Sequence, residues 1–134
     1  MVVEQRMESV SEAEALDLAA TVPVGRIVYS RYALPAVFIV NFKLDGRDPV
    51  FHTRKGPMFG AGVAETVVAF EVDRIDEAVS GGWSVLLRGP AHVVGDDELV
   101  PLPADDVQPW AGGTRDLYIR ITPTVITGRR IHTM

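Results

Sequence analysis

Phe38-Ile39-Val40-Asn41-Phe42-Lys43-Leu44-Asp45-Gly46-Arg47-Asp48-Pro49-Val50-Phe51-His52-Thr53 is the stretch that decides the fold class. Two apolar runs, rich in β-branched and aromatic residues, flank an Asp-Gly pair. Such a pair between strands predicts a β-hairpin closed by a type I′ turn, in which both central residues take positive φ. Residues 38–44 and 48–53 are therefore expected as antiparallel neighbours.

The same texture continues on both sides. Ile27-Val28-Tyr29 and Ala36-Val37 precede the hairpin. Further strands are expected over 66–72, 83–94, 117–122 and 124–130. Pro123 interrupts the last run, giving two short strands or one bent edge strand. Helical signals are few. Ser11-Glu12-Ala13-Glu14 has the form of a capping box and opens a helix over about 11–20, with Ala15, Leu16 and Ala19 on one side. Gly56-Pro57 fits the start of a short helix over 56–64. Residues 96–113, rich in acids and prolines, read as a surface excursion. Six or seven strands with few helices, and no β-α-β alternation, exclude a doubly wound nucleotide-binding fold. They predict a mainly β protein, a small antiparallel barrel, with residues 1–134 as one domain.

Composition narrows the function classes. The 134 residues are 47% hydrophobic and 23% charged, with a net charge of −5. That balance argues against a general nucleic-acid or acidic-membrane binder. The absence of cysteine excludes thiolate metal sites and cysteine nucleophiles. His52, His92 and His132 lack metal-ligand spacing. No apolar run reaches the ~18 residues that a membrane span needs, and the acidic N-terminus is unlike a signal peptide. A cytoplasmic protein is the expectation.

Three stretches carry candidate chemistry. Thr53, Arg54 and Lys55 stand where a strand ends before a helix N-terminus, a place suited to phosphate. The plainer account is that these charges decorate an exposed turn. In the stretch from Gly81 to Pro90, Trp83, Val85 and Leu87 fall on one strand face and Ser84, Leu86 and Arg88 on the other. Trp83 reads first as core, with packing beside a ligand as the functional alternative. Arg129 and Arg130 are either solvated or a phosphate grip. Asp73, Asp76 and Glu77 read as an acidic surface turn, and His52 as structural.

Taken in order, these pieces resemble the pyridoxamine phosphate oxidase-like, FMN-binding split-barrel superfamily, in its small actinobacterial-type branch. The matching pieces are Val24-Gly25-Arg26-Ile27, Phe51-His52-Thr53, the run from Val68 to Asp73, Gly82-Trp83-Ser84-Val85 with Arg88-Gly89, and Thr127-Gly128-Arg129-Arg130. The resemblance implies a six-stranded antiparallel Greek-key split barrel that forms a homodimer, with ligand grooves at the interface. It implies FMN, or in some branches a deazaflavin, as the small-molecule ligand. Thr53 and a lysine in the next helical turn would hold the phosphate, and the strand from Trp83 to Arg88 would line the cofactor. In that reading Thr53, Arg54, Lys55, Met58, Trp83, Ser84, Arg88 and Arg129 are the candidate binding residues.

The chain departs from the family pattern at one of them. Met58 stands where the family carries the phosphate-gripping lysine. A charge-assisted contact of this kind contributes about 1.5–3 kcal/mol, or roughly tenfold to a hundredfold in affinity. Lys55, Arg54 or an arginine such as Arg129 could replace it. Two functions are therefore weighed: a flavin- or deazaflavin-dependent oxidoreductase, and a non-catalytic dimeric binding module with a degenerate phosphate site and, at the limit, no cofactor. True pyridoxamine phosphate oxidase is the lesser third, for want of a C-terminal substrate-binding segment.

Overall fold

The computed structural model describes residues 5–53, 63, 66–95 and 117–133. Within them lie β1 (Gln5–Val10), α1 (Glu12–Ala19), β2 (Val24–Arg31), β3 (Leu34–Asp45), β4 (Asp48–Thr53), β5 (Val67–Asp76), β6 (Gly81–Val93), β7 (Leu117–Ile121) and β8 (Val125–Thr133). The helix expected over 56–64 and the excursion over 96–113 lie outside the described residues, apart from Val63.

The strands follow the order β1-β8-β6-β5-β2-β3-β4-β7, and a further pairing of β6 with β7 closes the last six into an antiparallel barrel. The barrel is split because β6 serves two partners along one edge. Its first half, Gly82 to Arg88, pairs with β8. Its second half, Ala91 to Val93, pairs with β7. Thr122 donates its backbone N–H to the Pro90 carbonyl at 2.9 Å, and Thr124 donates to that of Arg88 at 2.8 Å, as the chain passes from one half to the other. Pro123 therefore marks the crossing between two strands. β8 is no edge strand, since β1 pairs along its other side.

Alternation along these strands sorts side chains into a core and an outer face. Ile27, Phe70 and Leu87 point inward and are fully buried. Phe70 meets Phe42 edge-on at 5.0 Å and stacks near Phe51 at 6.0 Å. The helix closes the inner side of the β6–β8 extension, burying Ala15 and Ala19 completely. Gly128 permits that approach: a Cβ there would stand 2.6 Å from Val10 Cγ2 and 2.9 Å from Ala15 Cβ.

Two local expectations change in detail. The Ser11 hydroxyl accepts from the Glu14 N–H at 3.1 Å, as a capping box requires. The Glu14 carboxylate, however, accepts from Nε and Nη2 of Arg130 at 3.2 and 2.7 Å, which ties α1 to β8. The hairpin forms as expected, but Asp45 pairs with Asp48 and so belongs to the ladder. The turn residues are Gly46 and Arg47, and of these Gly46 has the positive φ, +63°. Glycine first is the type II′ pattern. The type I′ pattern falls instead on Tyr32 (φ 52°) and Ala33 (φ 62°), between β2 and β3.

Candidate functional site

Strand register gathers three of the five candidate residues that the structure describes. One row on the outer face runs Ile39, Arg26, Glu71, Leu86, Thr127 across β3, β2, β5, β6 and β8. A second runs Val37, Val28, Ala69, Arg88, Val125. A third runs Asp73, Ser84, Arg129, Ser9, the last on β1. Ser84, Arg88 and Arg129 therefore share one face of one sheet. This face carries exposed apolar side chains, with Ile39 69% and Val37 58% accessible.

Trp83 takes the other side. It is 7% exposed and points into the core, as the plainer reading of its strand expects. Its position at the start of β6 also makes it one wall of an open cavity of about 350 Å³, beside Arg74, Arg130 and His132. Thr53 ends β4 and pairs with Leu117 of β7. The β4–β7 ladder adjoins the far half of β6, so Thr53 and Ser84 share no ladder within one chain. Arg54, Lys55 and Met58 lie outside the described residues.

At the centre of the outer face is a cluster that the sequence reading missed. Arg26 Nη1 donates to Glu71 Oε2 and to Asp73 Oδ2, both at 3.1 Å. All three side chains are partly buried. Asp73 thus belongs to a strand face and not to an acidic turn. The signal was present in Phe70-Glu71-Val72-Asp73, where two acids alternate with buried residues on a central strand. Burial pushes the Glu71 carboxyl up to about 7, helped by the hydrogen bond and negative charge of Asp73, while Arg26 pulls the other way.

A second partly buried cation serves the fold. Arg120 donates to Asp48 at 2.8 Å and to Asp45 at 2.5 Å, pinning the hairpin to β7. Burial opposes the Arg120 charge, but the two aspartates more than offset it and raise its pKa. His52 stacks on Tyr118 at 5.1 Å. Among the described residues, no group of histidine and acidic side chains could hold a metal ion. No helix among them is long and apolar enough to cross a membrane.

A β6 shared between two barrel edges, with the polar residues of its first half turned outward, defines a split barrel. Residues 11–130 match the family model for pyridoxamine 5′-phosphate oxidase, and the chain belongs to that family. It is 38% identical over 124 residues to Rv0080 of Mycobacterium tuberculosis, a protein called uncharacterised, spanning 88% of this chain and 81% of that one. Among solved structures, it is similar to the FAD-binding protein of Mycobacterium smegmatis, with 32% identity and a TM-score of 0.72, over 93% of this chain and 98% of the other. A candidate pyridoxamine 5′-phosphate oxidase of Corynebacterium glutamicum shares 28% identity and a TM-score of 0.71 over the same shares.

Proposed function

We propose that this chain binds a flavin, FMN in first place, in grooves between two of its copies, and that the bound flavin carries an oxidoreductase reaction. The reading is carried by the 32% identity to an FAD-binding protein across 93% of the chain. A bound flavin supplies hydride or electron transfer at its ring, and the protein supplies binding and orientation.

The outer face has suitable donors. Ser84 offers a hydroxyl. Arg88 and Arg129 offer cations that make no ion pair among the described residues. Val28, Val37 and Ile39 offer apolar surface for a flat ring. Thr53 ends β4, so the family pattern would bring a flavin phosphate to this end of the strand, and Trp83 backs the strand that carries Ser84. Thr53 and Ser84 share no ladder within one chain, and a groove between two copies is one way to bring both to a ligand. Pairing through this face would also cover Val37 and Ile39, since contiguous apolar patches on a lone chain are usually small.

Met58 favours a second reading, a dimeric module that holds flavin, deazaflavin or another phosphorylated ring compound without turnover. Titration of FMN and FAD into apo protein, followed by flavin fluorescence, tests both. The wild type is expected to quench either flavin, and Met58→Lys to tighten FMN by roughly tenfold to a hundredfold. Reduction of the bound flavin by NAD(P)H or a reduced deazaflavin then separates enzyme from module. Quenching by neither protein overturns flavin binding.

A further inference from the structure

Glu71 lies at the middle of its row, with β3 and β2 on one side and β6 and β8 on the other. Two copies that pair through this face in isologous fashion bring the centre of each onto the centre of the other. A second copy suits the face. Its central charges answer one another in part, Arg26 against Glu71 and Asp73, and its flanks are apolar at Val37, Ile39 and Val125. Such flanks match themselves across a two-fold axis, apolar side chain against apolar side chain.

The centre is not fully neutral. Arg26 faces Glu71 from β2, Asp73 faces it from its own strand, and β6 offers the uncharged Ser84 and Leu86. The next cations on the face, Arg88 and Arg129, are long enough to carry their charge to the rim. The two short carboxylates on the central strand cannot follow them. One arginine balances one carboxylate and leaves a charge that water must solvate. When a second copy removes that water, the excess charge becomes costly, and the neighbouring acidic pair of the other copy repels it.

We propose, on the reading that two copies pair through this face, that pairing takes up a proton at each Glu71–Asp73 pair, so that acid tightens the dimer and alkali loosens it. A proton shared between the two carboxyl groups leaves Arg26 balanced. The raised Glu71 carboxyl, at about 7 before any partner arrives, places the transition within a neutral range.

Sedimentation equilibrium between pH 6 and 8.5 tests this on the intact chain. Above pH 7 the wild-type dissociation constant should rise by up to about tenfold per pH unit for each proton linked. Glu71→Gln should stay tight and flat across the range. Asp73→Asn gives Glu71 a single partner in Arg26, and should also remove the dependence. Asp76→Asn, outside the pair, should keep it. A wild-type dimer equally tight at every pH overturns the proton uptake and leaves the pairing intact. A wild type monomeric at every pH overturns both the uptake and the pairing beneath it.

Discussion

A carboxyl group set beside another carboxylate in a partly dry place gives up its proton late, and Glu71 turns that into a stability effect. Its folded carboxyl lies near 7 against an ordinary 4.5, mainly through burial and then through Asp73. Between those two values the native chain holds a proton that the unfolded chain has already released. Stability therefore falls as pH rises through that window, and flattens above it. Glutamine is neutral at every pH and escapes this loss. Glu71→Gln should match the wild type near pH 4.5 and exceed it at pH 7.5, in urea midpoints taken at one dilute protein concentration. An equal gap at both pH values would show that Glu71 is not the late-titrating group.

At the scale of elements, the turn between β2 and β3 stands out. Tyr32 and Ala33 both hold positive φ without being glycine or asparagine, and Tyr32 is 86% exposed. A left-handed conformation costs an ordinary residue about 1–2 kcal/mol, and Asn-Gly is the pair best suited to such a link. Replacing Tyr32-Ala33 by Asn-Gly should stabilise the fold by about 1 kcal/mol, read as a higher midpoint in chemical denaturation. A lower midpoint would mean that contacts of Tyr32, such as Arg31 over its ring at 5.3 Å, outweigh the backbone. The same turn shows why some elements were illegible in the sequence. The β3–β4 hairpin announced itself through Asp45-Gly46, because glycine marks the place where positive φ is easy. Tyr32-Ala33 carries no such mark, since the paired strands impose the conformation. β1 was equally silent, for Gln5-Arg6-Met7-Glu8-Ser9-Val10 has neither alternation nor strong β-formers, and it is a strand because β8 offers it a free edge. Glu71 was legible as strand, but Asp73 was read as turn, and the cluster stayed hidden because Arg26 lies 45 residues away from Glu71 in the chain.

For the whole molecule, one surface joins the fold to the proposed function. Barrel closure consumes the inner faces of six strands and leaves the outer rows of β3, β2, β5, β6 and β8 as a broad sheet without a layer over it among the described residues. Ile39 tests what that sheet is for. It is 69% exposed, so in an isolated chain a charge there should change stability by no more than about 0.5 kcal/mol. Where a second copy covers the face, the same charge is forced into apolar surroundings beside Arg26, whose own charge Glu71 and Asp73 already engage, and there it is costly. Ile39→Glu should therefore keep the wild-type thermal midpoint at high dilution, sediment as a monomer where the wild type is a dimer, and lose flavin affinity with the groove. The three readouts separate the alternatives. Loss of the dimer with flavin affinity retained would place the ligand within one chain. A variant that sediments as the wild type would free this face from any role in pairing, and the search for the interface would move to the edge offered by β1.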